Sequence, residues 1–193
     1  MKKTAAIAIA GLLAVAGLTA LALYAKMRMD TTDAVWQVTL RLESTLKHEE
    51  GGSMISYPEA AMRAREQIDY AETAALGMRA SGQTDAANYV AAVQDVLRSS
   101  VERYRTHAVM SHRTEEAKRL REGDPGLATL TAVINGLEQS IEEYRDAVGA
   151  SILALDALAE ARIRVVGRVG DGAVIPATAL DGLKAKLEKE LGG

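Results

Sequence analysis

The chain has 193 residues, 48% of them hydrophobic, and a formal net charge of −3, enough apolar surface for one domain with its own core. It contains no Cys, which excludes disulfides, thiolate metal sites and thiol nucleophiles. Lys2 and Lys3 are the only charged side chains before Lys26, so residues 26–193 hold 21 of the 23 basic groups against all 26 acidic ones, a balance that argues against nucleic acid as a partner.

Aromatic residues make up only 4% of the chain and Phe is absent, while Ala is abundant. Such interiors suit closely packed helices. The sequence predicts an all-α fold: an N-terminal transmembrane (or signal) helix, an antiparallel four-helix bundle or coiled-coil hairpin, and a short C-terminal amphipathic helix.

After Met1-Lys2-Lys3, residues 4–25 carry no charge and are mostly Ala, Leu, Ile and Gly. The opening Met-Lys-Lys-Thr-Ala-Ala-Ile-Ala-Ile-Ala resembles the start of bacterial Sec signal peptides, with Ala20-Leu21-Ala22 as a small-x-small cleavage site. The apolar run is longer than a usual signal core and long enough to span a bilayer. It reads first as a retained anchor in membrane lipid (residues 1–25), and second as a cleaved signal leaving a soluble periplasmic domain.

Residues 26–167 read as four helices. The first, 26–50, carries the stripe Val35, Val38, Leu42 and Leu46 and stops at Gly51-Gly52. Pro58 opens a second over 58–81, with a small-residue face of Ala61, Ala64, Ile68, Ala71 and Ala75. Ser81-Gly82-Gln83-Thr84 forms a turn, and a third helix follows over 85–122 on Val90, Val93, Leu97, Val101 and Tyr104. Asp124-Pro125-Gly126 then opens the longest, 126–167. There, positions 127, 130, 134, 137, 141, 144, 148, 151, 155, 158, 162 and 165 are spaced strictly 3-4-3-4. They are apolar except at Ser151 and Arg162, a narrow seam that requires partner helices.

Lengths predict two antiparallel hairpins, a short one (26–50 with 58–81) and a long one (85–122 with 126–167), in a four-helix bundle. Register set by the turn brings Arg105 to Glu143, Arg103 to Asp146 and Asp85 to Arg162 and Arg164, so the basic run of the third helix reads as interhelical charge matching. The long hairpin projects ~20 Å beyond the short one at 1.5 Å per residue. In that distal part Leu127, Leu130, Ile134 and Leu137 face a poorer stripe of Val109 and Leu120. Two helices cannot fully bury that seam: either the hairpin bends back onto the bundle, or these six residues are the candidate contact for another copy of the chain or a protein partner.

Residues 168–193 hold a Gly-containing loop, with a tight turn or small hairpin at Asp171-Gly172. A short amphipathic helix follows, opened by Thr178 with Asp181 and bearing Leu180, Leu183, Leu187 and Leu191. It is expected to cap the membrane end of the bundle, or to lie at the lipid surface.

No enzyme chemistry is expected. His48-Glu49-Glu50-Gly51-Gly52 resembles the His-Glu-Gly-Gly stretch of phage-type muralytic glycosidases, in which that Glu is the acid. The resemblance spans five residues with one Glu inserted, and the region those enzymes need downstream is missing. His107 and His112 are five apart and point to different faces, and neither a His-Glu-x-x-His nor a Glu-x-x-His string occurs, so no metal or cofactor is expected. The layout as a whole resembles the periplasmic four-helix sensor domains of chemotaxis receptors, which implies a small-molecule-sensing bundle as the alternative. It departs from them in lacking a second membrane helix. The first expectation is a non-enzymatic, single-pass, membrane-anchored bundle that acts by protein–protein association outside the cytoplasm.

Overall fold

The computed structural model describes residue 19 and residues 23–28, 30–46, 57–122 and 126–192. These form an all-helical, bundle-like arrangement: α1 (helical over 23–28 and 30–46), α2 (Tyr57–Ala80), α3 (Thr84–Glu122), α4 (Leu127–Val169), a 3₁₀ turn (Asp171–Ala173) and α5 (Ala177–Gly192). Among the described residues no helix is long and apolar enough to cross a membrane. The membrane-spanning or signal helix expected over 1–25 falls outside them apart from Thr19 and residues 23–25, and finds no support among those. His48, Glu49, Glu50, Gly51, Gly52, Asp124 and Pro125 also lie outside the described residues.

Each helix boundary has a local cause. At the end of α2, Gly82 adopts φ +75°, a conformation open to a residue without Cβ. Its N–H donates to Arg79 O at 3.0 Å and the Gln83 N–H donates to Met78 O at 2.8 Å, the paired bonds of a Schellman ending. α4 begins at Leu127, with Gly126 O accepting from the Thr129 and Leu130 amides. It runs through Gly167 and stops at Gly170, at φ +88°.

The helices pack antiparallel. Arg41 lies 4.0 Å over the Tyr70 ring and Thr45 donates to Gln67, joining α1 to α2. α2 returns along α3, and α3 makes its longest contact with α4. One core gathers Val35, Val38 and Leu42 of α1 with Ala71 and Ala75 of α2. Val90, Val93 and Leu97 come from α3, and Val148, Leu155, Leu158 and Val165 from α4.

α5 departs from expectation. It neither caps the bundle end nor turns outward. It lies lengthwise against α4, burying Leu180, Leu183 and Leu187, with Lys184 Nζ 2.6 Å from Asp156 and Tyr144 donating to Glu190 at 3.0 Å. The reason lies in residues 171–175. Instead of a hairpin they form the 3₁₀ turn and then an extended step in which Ala173, Val174 and Ile175 are buried. That step has no strand partner, so side chains satisfy its backbone. The Ile175 amide donates to Tyr89 Oη at 3.0 Å, and Arg162 Nε donates to Ile175 O at 2.7 Å while the same guanidinium binds Asp171.

Tyr89 is fully buried at the centre of this junction. Its hydroxyl lies 2.9 Å from Thr39 Oγ1, which in turn is 2.9 Å from both Val35 O and Ala173 O. One assignment satisfies every group: Ile175 donates to Tyr89, Tyr89 donates to Thr39, and Thr39 donates to a carbonyl. Burial pushes the Tyr89 phenol above its ordinary value. The two polar interruptions of the α4 seam now have reasons. Arg162 holds the C-terminal step, and Ser151 is buried with its hydroxyl donating back to Ala147 O at 3.0 Å.

Candidate partner-binding surface

Burial along the α4 seam falls toward the tip, with half-buried Leu130 between the exposed Leu127 and Ile134. Val148, Ser151, Leu155, Leu158 and Val165 are buried; Leu137, Ile141 and Tyr144 are half-buried; Ile134 is 43% exposed and Leu127 81%. In α3 the last buried residue is Thr106, and in α4 the first is Ser140. Residues 107–122 and 127–139 therefore form a hairpin tip with no buried side chain, ~20 Å long at 1.5 Å per residue.

The lower limit of the tip is set by where the other helices end. Tyr57, which opens α2, lies close enough to Arg105 to influence its charge. Glu190, near the end of α5, reaches Tyr144. Above that level, among the described residues, α3 and α4 have only each other. Leu127, Leu130, Ile134 and Leu137 lie on the tip of α4, while Val109 (37% exposed) and the half-buried Leu120 lie on the tip of α3.

Between these stripes Arg113 interrupts the α3 side. Its guanidinium lies across α4 at Gly136, where an added Cβ would sit 3.8 Å from Arg113 Cζ, and it donates to Glu116 Oε2 at 3.0 Å. A Cβ at Gly136 meets ordinary contact distances, and at Gly149 it meets nothing within 4 Å. Gly136→Ala and Gly149→Ala are each expected to stabilise α4 by about 0.5–1 kcal/mol, seen as a raised urea midpoint with unchanged slope. The Arg113–Gly136 contact was hidden in the sequence, where Arg113 reads only as a break in a stripe.

The charge pairing follows the interhelical scheme read from the sequence in part: Glu102 does most to raise the Arg105 pKa and the Glu143 carboxylate adds to it as expected, but the hydrogen-bonded partners are others. Arg105 binds Glu102 at 2.5 and 2.9 Å, Arg113 binds Glu116, and Lys118 binds Glu115 at 2.8 Å, all one turn apart within α3. Asp85 pairs with Arg168 at 3.1 Å rather than with Arg162 or Arg164, and Arg103 stands 5.4 Å from the Tyr104 ring. Partners on one helix are already held at reach by the backbone, so less side-chain entropy is lost than across two helices. Arg105, Arg113 and Lys118 are thereby paired within α3, and the stretch 127–137 of α4 carries no charge.

At the base of the tip the Tyr144 ring meets His107 edge-on at 5.4 Å. Burial first, then the Glu190 carboxylate, pushes the Tyr144 phenol up to about 12 from its ordinary 10. The unfolded chain thus releases this proton at lower pH than the folded one. The contribution is complete below pH 10 and is lost as pH rises through about 12. Resistance to urea is expected to fall across that interval, and Tyr144→Phe to flatten the fall.

A separate crevice between α1, α2 and α3 is walled by Ala60, Ala64, Ser100, Val101 and Tyr104. Arg63 at its edge is bonded to Glu59 at 2.7 Å. Among the described residues no three His, Asp or Glu side chains are grouped to hold a metal ion. Comparison with known proteins returns no match: no family model, no curated protein and no solved structure is similar to this chain.

Proposed function

We propose that the protein is a non-enzymatic association module, anchored in a bacterial-type membrane by residues 4–25, whose hairpin tip pairs with the tip of a second copy outside the cytoplasm. The observation that carries this reading is the absence of any buried side chain over 107–122 and 127–139, although both segments continue apolar stripes that are buried lower down. A helix face patterned for burial and left uncovered is a contact surface in waiting. A second copy suits it because residues 127–137 carry no charge, so two α4 tips can meet across a twofold axis without like charges opposed. Four tip helices would then complete the arrangement that two cannot.

Membrane placement draws on the uncharged run 4–25 and on the position of α1. Arg28 Nε donates to Arg168 O at 3.1 Å, so the chain enters at the end opposite the tip. The sensing alternative would use the crevice between α1, α2 and α3. Its cation Arg63 already has a carboxylate, and the tip is the better supported site. Sedimentation equilibrium of the full chain in detergent micelles tests the proposal. A dimer that dissociates on dilution supports it, and a monomer at every concentration overturns it.

A further inference from the structure

Among the described residues the buried Ser and Thr side chains are Thr39, Ser100, Thr106, Ser140 and Ser151. All but one lie 2.8–3.0 Å from a carbonyl oxygen one turn back in their own helix, which satisfies a buried hydroxyl locally. Ser100 is the exception. It is 5% exposed, and its hydroxyl has no hydrogen-bond partner among the described residues. Nor is that oxygen sealed within packing: Ser100 lines the crevice between α1, α2 and α3, and its hydroxyl opens there. A hydroxyl taken out of bulk water and left without a bond costs stability, and an open recess is where an outside partner can satisfy it.

The surroundings decide what that partner is. The methyl groups of Ala60 and Ala64, both buried, form one wall of the crevice, and Val101 with the Tyr104 ring forms another. At its rim Thr45 donates to Gln67 at 2.7 Å, and Arg63 is bonded to Glu59 at 2.7 Å. The Arg63 charge is already balanced there, so a charged ligand would give up its hydration without meeting an opposite charge. The recess measures about 50 Å³, room for several water-sized groups but far less than a drug-sized molecule fills.

We infer that this crevice is a binding site for a small neutral alcohol, whose hydroxyl meets Ser100 while its short aliphatic chain lies against Ala60 and Ala64. A serine hydroxyl both donates and accepts, so it can meet another hydroxyl in either sense. An apolar recess with one placed polar group is how small-molecule sites fix a ligand's orientation. The inference goes beyond association through the tip and does not depend on it.

Alanine-methyl NMR spectra of the full chain in detergent micelles, titrated with 1-butanol, test the site. Saturating shifts are expected at the Ala60 and Ala64 methyls, with Ala128 and Ala132 of the tip unmoved. In Ser100→Ala the apparent Kd should rise about fivefold, the effect of one neutral hydrogen bond. The urea midpoint of that variant should hold or rise, because no bond within the protein is lost. Ala64→Leu fills the recess and should abolish the shifts; if circular dichroism shows it unfolded, Ser100→Ala decides alone. Equal affinity in the parent and Ser100→Ala overturns the proposal. So do shifts that stay linear at every alanine, which report solvent, and the lack of any shift at Ala60 and Ala64, which means that the crevice takes water only. Leu130→Glu/Leu137→Glu should bind 1-butanol as the parent does, so failure of tip pairing and failure of this site are read separately.

Discussion

Tyr89→Ala is expected to cost about 3–5 kcal/mol, the range for removing a large buried aromatic, and to lower the urea midpoint more than any other single change in α3. The residue is fully buried, and its truncation opens a cavity while stranding the Ile175 amide, whose acceptor is the Tyr89 hydroxyl. Tyr89→Phe separates the two effects. It keeps the ring and removes only the oxygen, leaving a buried N–H without an acceptor, for about 1–3 kcal/mol. Against a total of about 5–15 kcal/mol for a typical domain, even the smaller figure is substantial. Urea unfolding followed by helical circular dichroism measures both. If Tyr89→Phe matches the parent within about 0.5 kcal/mol, the network around Thr39 and Ile175 contributes nothing and the fold rests on apolar packing alone.

Leu130→Glu with Leu137→Glu is expected to abolish self-association while leaving the helical signal within a few per cent of the parent. Both side chains are half-buried and lie above the level where α2 and α5 end, so an exposed carboxylate disturbs little within one chain. Across a twofold contact the same changes place four carboxylates in an apolar interface, which burial of charge forbids. The effect on dimer affinity should exceed a hundredfold, at roughly 1.4 kcal/mol per tenfold. Leu155→Glu, introduced lower on the same seam at a fully buried position, should instead unfold the protein. Sedimentation and circular dichroism together distinguish the two. A parent and a double variant that sediment alike would refute tip-to-tip pairing.

The long hairpin was legible because its signals are local and repeated. The 3-4 spacing of α4, the glycine-bearing turn at Gly82 and matched arm lengths all lie within one or two helices. Helices expected over 85–122 and 126–167 are observed as Thr84–Glu122 and Leu127–Val169. Arm lengths give the excess length of the second hairpin, but not whether it projects or bends back onto the bundle. The C-terminal part was misread because its determinants are distant in sequence. Nothing near Ile175 announces that Tyr89 and Arg162 will take its amide and carbonyl, and Arg162 reads as a flaw in a seam until the 3₁₀ turn lies beneath it. Ion pairs were misassigned for a related reason: register within α3 is fixed by the helix itself, whereas register between α3 and α4 tolerates a turn of slack, as Asp85 choosing Arg168 shows.

The bond from Thr39 to Ala173 joins positions 134 residues apart, and that distance has a bearing on how the protein is made. During synthesis α1, α2 and α3 emerge long before the segment that closes the junction around them. Until residue 175 is available, Tyr89 has no amide to accept and the inner face of α4 has no α5 over it. An unfinished chain of this kind stays open and loosely held. The segment that follows α4 is then the latch, and the domain shuts only once that segment has joined the helices made before it.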